Sequence, residues 1–137
     1  MNRRNFLRAA GATGLLLATQ GPAAGSIFGF TQSAETLIRL IRQALAERRL
    51  VKFSYHGYTR LVEPHALGHV TEGRLALLGW QVSGGSRSEP PPGWRTFVVA
   101  EISSLKFIGQ TFQRRPDYDA ATSRLKQIEV EVPSPGL

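Results

Sequence analysis

The 137-residue sequence contains no cysteine. This absence excludes disulfide bonds, thiolate nucleophiles, iron–sulfur clusters and zinc fingers, because each of them requires cysteine thiols. It also excludes a lipoprotein anchor, which is attached to a cysteine. The length is that of one domain with a core large enough to fold alone, and that core has to form without covalent cross-links.

Acidic residues are scarce, with 10 Asp and Glu against 17 Lys and Arg, so the formal net charge is +7. Residues 26–115 hold twelve Lys and Arg against six Glu, whereas residues 116–137 hold two against four acids. A positive surface concentrates anions such as nucleic acid, nucleotides or acidic lipid. The alternative is a basic surface that serves solubility alone.

The sequence also lacks a long apolar run. The weakly apolar stretch 9–17 is too short to cross a bilayer, which requires about 20 apolar residues, so we predict no transmembrane segment. The preceding segment 2–8 reads Asn-Arg-Arg-Asn-Phe-Leu-Arg and resembles the bacterial twin-arginine export motif. Small, turn-prone residues follow at 22–26, as in a signal-peptidase region.

We therefore predict a twin-arginine-type signal peptide over residues 1–26. The alternatives are a basic amphipathic start or a misplaced start codon. If the signal operates, the protein is exported to the periplasm after folding in the cytoplasm; otherwise it is cytoplasmic.

The first structural element predicted after this segment is an amphipathic helix over residues 34–48. Ser33 is a good N-cap and Glu35 suits the positive end of the helix dipole. Apolar residues form one stripe at helical spacing, namely Leu37, Ile38, Ile41, Ala44 and Leu45. We expect this stripe to pack on a sheet; docking of a partner helix is the alternative.

Short apolar runs separated by Gly, Pro and polar clusters then predict five strands. They cover residues 50–55, 60–64, 75–82, 94–100 and 103–108. The expected fold is mainly β with one leading α-helix, in the form of a small five-stranded SH3-like or Sm-like barrel. Residues 83–93 form an irregular loop of the kind that is often functional, and residues 120–137 are expected to be a flexible tail with a weak extra strand or helix.

The order and spacing of several residues over 34–119 resemble the WYL domain family. The matching positions are Val51-x-Phe53-x-Tyr55, Arg60-x-x-x-Pro64, Leu67-Gly68, Leu77-Leu78-Gly79-Trp80, Arg95-x-Phe97, Ile102 and the segment 112–118. One position departs from the family, because the name-giving Trp-Tyr-Leu triplet reads Trp80-Gln81-Val82 here.

The resemblance implies an Sm-like barrel that acts as a ligand-sensing or nucleic-acid-binding regulatory module. Such modules commonly follow a helix-turn-helix in bacterial transcription regulators. No DNA-binding domain fits before residue 34, so the resemblance implies a stand-alone module.

The resemblance also places Arg60 and Arg95 in the ligand pocket of the family. A guanidinium can form forked hydrogen bonds to phosphate or stack on a base. The alternative is a structural ion pair with Glu63 or Glu101.

Three further residues complete the predicted ligand-binding site. Tyr55 and Trp94 are candidates for stacking on a base, and Arg87 is a candidate for reaching the ligand from the irregular loop. The alternative for Arg87 is a solvated loop arginine. Trp80 lies in the most apolar strand, where it is expected to belong to the core.

Neither a metal site nor a catalytic centre is predicted. His65 and His69 are four residues apart, but Pro64 and Gly68 argue against the helix that would bring both imidazoles to one metal ion. Ser86 lacks the surroundings of a nucleophile elbow.

We therefore expect a non-enzymatic binding module without cofactors, whose ligand is anionic: a nucleotide or single-stranded nucleic acid. The alternative is an exported envelope protein that uses the barrel for protein–protein contacts.

The export prediction can be tested by fractionating cells that express a tagged full-length chain. We expect a shortened periplasmic product from the wild type, and retention in the cytoplasm for the Arg3→Lys, Arg4→Lys variant, because the transport route reads the arginine pair. Uncleaved cytoplasmic protein in both cases would contradict export.

Overall fold

The computed structural model describes residues 32–87 and 89–135. The predicted signal peptide, residues 1–26, lies outside the described residues. Within the described part, no helix is long and apolar enough to cross a membrane.

Helix α1 spans Ala34–Glu47 and confirms the helix predicted from the apolar stripe. The backbone N–H of Thr36 donates to the Ser33 hydroxyl at 3.1 Å, which satisfies one of the free donors at the helix start. The helix ends at Arg48, whose left-handed backbone (φ 53°) lets its N–H reach the last carbonyls. The buried stripe packs on the sheet, as expected.

Six antiparallel strands follow the helix, one more than the five predicted. They are β1 (Arg49–Tyr55), β2 (Tyr58–His69), β3 (Leu75–Gly84), β4 (Gly93–Val98), β5 (Ile102–Thr111) and β6 (Gln127–Glu131). The sheet order is β4-β3-β2-β1-β5, and β6 pairs with the far end of β2. The class, mainly β with one helix, is confirmed. In the described residues β4 and β5 do not pair, so the sheet is open and the predicted SH3-like barrel is not confirmed.

The turn between β1 and β2 has the geometry of a tight hairpin. His56 and Gly57 both have positive φ angles, 51° and 84°, as a two-residue type I′ turn requires. The register pairs Tyr55 with Tyr58 and Phe53 with Arg60. This hairpin therefore fixes Arg60 close to the turn, beside the aromatic end of β1.

Strand β2 is long because it changes partners along its length. Its first half pairs with β1 and its second half with β6, while β3 pairs with it throughout. The register shifts between Pro64 and Ala66, in agreement with the bulge or edge that proline favours.

The segment expected to be a flexible tail from residue 120 onward contributes to the fold. Leu125 and Val132 are buried, and β6 lies against β2. The approach is close at Gly68, where a Cβ atom would lie 2.2 Å from the carbonyl oxygen of Gln127. Since only glycine permits this approach, the sixth strand depends on a residue far away in the sequence.

Two apolar clusters cover the sheet. The larger one joins α1 to the inner side chains of the strands, with Phe53 and Phe97 at its centre. The smaller one forms under the C-terminal segment, where Tyr118 and Leu125 cover Leu78. The C-terminal segment thus forms a wall beside the hairpin and β4.

Candidate ligand-binding site

A pocket of about 630 Å³ opens where the β1–β2 hairpin, β4, the loop after β3 and residues 117–124 meet. Its lining includes all five residues predicted for the ligand site: Tyr55, Arg60, Arg87, Trp94 and Arg95. They come from two stretches of the sequence, residues 55–60 and 87–95. The fold therefore places the five predicted residues around one pocket.

Arg60 is the central cation of the pocket wall, and its side chain is held without a carboxylate. The residue is only 4% exposed. Its Nη1 donates to Oε1 of Gln81 at 3.2 Å, and its Nη2 donates to the backbone carbonyl of Tyr55 at 3.0 Å. The guanidinium also lies within 6 Å of the ring centres of Tyr55, Tyr58 and Phe97, where ring faces attract a cation.

Burial lowers the pKa of Arg60 below its ordinary value, and the positive charge of Arg95 lowers it further. Arginine nevertheless stays protonated in proteins, so the shift reports an uncompensated charge rather than a neutral side chain. The predicted alternative partners are engaged elsewhere: Glu63 accepts from Arg115 at 2.8 Å, and Glu101 contacts His56 and Arg74.

Arg95 extends the cationic wall from β4. One Nη2 hydrogen bond goes to the backbone carbonyl of Glu89. The Nε atoms of both Arg95 and Arg60 are buried and have no hydrogen-bond partner in the described part of the chain. Buried donors are nearly always paired in folded proteins, since an unmade bond costs about 1–3 kcal/mol. These two atoms are enclosed by protein and are therefore not exposed to the pocket, although both residues line it.

The two predicted stacking residues differ in how much of their rings they offer. Tyr55 stacks on His56 with ring centres 4.0 Å apart and meets Phe97 edge-on, while its hydroxyl accepts from the N–H of Val98. Most of the surface of the Tyr55 ring is thus covered by other side chains of the protein. Trp94 is partly exposed and lines the pocket, so it is the better placed of the two for contact with a ligand.

Trp80, which was expected in the core, is half-buried rather than fully buried. It meets Trp94 edge-on, and the guanidinium of Arg115 lies 4.2 Å from its ring centre. Its ring therefore supports Trp94 from the side and is not among the residues that line the pocket.

The C-terminal wall supplies pocket residues that sequence reasoning missed. Arg124 adds a fourth arginine to the lining, and Asp117 and Asp119 add two carboxylates to the same pocket. Asp117 accepts from the indole N–H of Trp94 at 3.1 Å, and Asp119 caps a short 3-10 turn through the N–H of Ala121. The acidic balance of this segment was visible in the sequence, but its position depends on the docking of β6.

The four pocket arginines share one further property. None of Arg60, Arg87, Arg95 and Arg124 lies within 4 Å of a carboxylate among the residues that the structure describes. Several arginines outside the pocket, such as Arg42 and Arg115, do form ion pairs. The pocket wall is therefore a region of unpaired positive charge.

Gln81 is fully buried at the position where the family triplet has its tyrosine. Its Oε1 accepts from Arg60, and its Nε2 donates to the carbonyls of Ser83 and Gly85 at 3.1 and 3.0 Å. Gln81 thus departs from the family pattern, and both of its amide hydrogens and its amide oxygen form hydrogen bonds within the protein. The sequence showed that Gln81 replaces the tyrosine of the family triplet, but it did not show that Gln81 forms these hydrogen bonds.

His65 is a structural residue rather than a ligand of a metal ion. Its Nε2 accepts from the backbone N–H of Arg115 at 3.1 Å, so the proton lies on Nδ1, which donates to the carbonyl of Glu63. The ring lies among Trp94, Phe112 and Tyr118. No group of three His, Asp or Glu in the described residues could hold a metal ion.

Comparison with known proteins identifies the family to which this chain belongs. The model of the WYL domain matches residues 36–107, more than half of the chain, and the chain belongs to this family. No curated protein matches it significantly.

The chain is similar in structure to proteasome accessory factor B/C (PafBC) of Arthrobacter aurescens, with a TM-score of 0.52 and 20% sequence identity. The similarity covers 67% of this chain but only 15% of that one, so this chain spans a small part of its length. At this identity the likeness shows the fold alone.

The environment of His65 predicts a pH dependence of stability. Burial lowers the pKa of His65, and the charges of Arg115 and Arg114 lower it further. The unfolded chain takes up this proton near the ordinary value of about 6.5, so below that pH it binds more protons than the folded chain. The free energy of unfolding should therefore fall as the pH is lowered from about 7.5 to 5, by about 1.4 kcal/mol per unit of pKa difference.

Urea unfolding of the wild type and of His65→Gln at both pH values measures this effect. The variant should lose less stability on acidification, because it has no imidazole to protonate. Equal losses for wild type and His65→Gln would show that other groups govern the acid response.

Proposed function

We propose that this WYL domain is a non-enzymatic, ligand-sensing regulatory module whose pocket binds an anionic ligand, either a nucleotide or a short stretch of single-stranded nucleic acid. The observation that carries the proposal is that four arginines, Arg60, Arg87, Arg95 and Arg124, line the pocket and that none of them pairs with a carboxylate among the described residues. Membership of the WYL domain family supports a regulatory role, since the resemblance implies modules of this kind.

An anion supplies what the wall lacks. Phosphate and carboxylate oxygens accept forked hydrogen bonds from guanidinium groups, and such charge-assisted bonds are about twice as strong as neutral ones. The four arginines also attract anions before contact, because none of them forms an ion pair with a carboxylate in the described residues, although Asp117 and Asp119 offset part of their charge. A neutral ligand can accept hydrogen bonds from these guanidinium groups but does not compensate their charge, and a cationic ligand is repelled.

The remainder of the lining favours a nucleotide-like ligand over bare phosphate. The volume of about 630 Å³ lies within the range of about 300–1,000 Å³ that is typical of small-molecule sites. Trp94 offers an apolar ring for a base. Asp117 and Asp119 line the same pocket and can accept from the hydroxyl or amino groups that a nucleoside carries and phosphate lacks.

Binding measurements with AMP and with a dodecamer of thymidylate test this proposal. Arg60→Ala and Arg95→Ala should each weaken binding by about tenfold or more, since a hydrogen bond to a charged group contributes about 1.5–3 kcal/mol. Affinity should also fall steeply with added salt. Arg60→Lys should give an intermediate loss, because it keeps the charge and removes the planar fork.

Arg39→Ala is the matched control, because Arg39 is exposed on α1, away from the pocket, and its removal changes the net charge by the same amount. Thermal unfolding of each variant shows whether it is folded. Unchanged affinity in both folded pocket variants, or an equal loss in Arg39→Ala, would contradict the site. Preference for AMP over the oligonucleotide would identify a small-ligand sensor, and the reverse a nucleic-acid binder.

A further inference from the structure

Gln81 connects two parts of the pocket that are separate in the sequence. Its side chain is 0% exposed and is not among the residues that line the pocket, so it does not meet a ligand itself. It bonds to Arg60 on β2 at one end and to the backbone of Ser83 and Gly85 at the other. Gly85 lies two residues before Arg87, the arginine on the loop that leaves β3.

The orientation of the Gln81 amide follows from its partners. The carbonyl oxygens of Ser83 and Gly85 can only accept hydrogen bonds, so the nitrogen must face them and the oxygen must face Arg60. Both amide hydrogens and the oxygen are then used. A second interaction fixes the start of this loop: the N–H of Gly85 donates a hydrogen bond to the carbonyl of Thr59 at 3.1 Å.

The neutrality of this side chain matters as much as its bonds. A carboxylate at the same place would hold Arg60 equally well but would cancel its charge, and its oxygens would repel the two carbonyls. An amide fixes the guanidinium and leaves its positive charge available to the pocket. We propose that Gln81 is a positioning residue that couples Arg60 to the loop segment 85–87, so that Arg60 and Arg87 act on the ligand together.

This inference rests on the proposed anion-binding function for its effect on affinity, but the coupling itself has a readout that needs no ligand. Gln81→Met keeps the approximate length of the side chain and removes all three bonds. Gln81→Glu keeps an acceptor for Arg60, removes both donors to the carbonyls and neutralises the arginine. Gln110→Met, on the exposed part of β5, is the matched control.

Amide hydrogen exchange of the ligand-free proteins is the first measurement. In both Gln81 variants the amide of Gly85, which donates to the carbonyl of Thr59, should exchange about tenfold faster or more, which corresponds to the loss of about one hydrogen bond. The amides of α1 should keep the wild-type rate, as should both regions in Gln110→Met. Wild-type exchange at Gly85 in a folded variant would overturn the coupling, whether or not the pocket binds AMP.

Affinity for AMP is the second measurement. Gln81→Glu should bind AMP about tenfold more weakly, because the charge of Arg60 is compensated. Arg87→Ala should weaken binding in the wild type but have little effect in the Gln81→Met background, where the loop is already released. Equal costs of Arg87→Ala in both backgrounds would overturn the proposal.

The coupling by Gln81 and the anion-binding function can be tested separately. If the wild type binds neither AMP nor the oligonucleotide, the proposed function is wrong, while the exchange result still decides the coupling. If the wild type binds AMP and the Gln81 variants bind it equally well, the coupling is wrong and the proposed function stands. Gln81→Asn, with an amide one methylene shorter, provides the same comparison if the other variants do not fold.

Discussion

The structure is organised around a buried guanidinium that is held by neutral groups. Transferring a cation from water into a protein interior costs several kcal/mol unless hydrogen bonds and charges compensate for it. At Arg60 the compensation comes from the carbonyl of Tyr55, the amide oxygen of Gln81 and three aromatic rings. Because no carboxylate takes part, the side chain is fixed in position while its charge remains available.

The strand arrangement around Arg60 produces this environment. The register places it opposite Phe53 on β1 and Gly84 on β3, two pairs beyond the Tyr55–Tyr58 pair that closes the tight turn at His56 and Gly57. Strand β4 brings Arg95 to the same pocket, and the segment that leads to β6 completes the lining. The pocket therefore depends on long-range pairing, and a change that releases β6 would remove its acidic wall without touching an arginine.

Local signals in the sequence predicted those features that depend on few neighbours. The cap at Ser33 and the apolar stripe determine α1, because each is decided within a few residues. Arg60 and Arg95 followed from the family resemblance together with the chemistry of arginine, and Arg87 from its place in the irregular loop; the structure places all three around one cavity.

The features that were missed depend on contacts across the chain. The segment Gln127–Glu131 reads as a weak strand by itself, and only pairing with β2 at the close approach of Gly68 makes it part of the sheet. Arg124 reaches the pocket only as a result of that pairing. The role of Gln81 was hidden for a different reason: a polar residue inside an apolar strand shows its purpose only when its partners are known.

In the proposed complex the guanidinium groups of Arg60 and Arg95 bind the anionic group of the ligand. Nuclear magnetic resonance of arginine side chains labelled with nitrogen-15 observes guanidinium N–H groups directly, and Arg→Lys variants assign them. Addition of AMP should shift the Nε–H resonances of Arg60 and Arg95 and slow their exchange with water, while the resonance of Arg39 stays in place. Binding of AMP that leaves both pocket resonances unchanged, or that moves Arg39 to the same extent, would contradict the account.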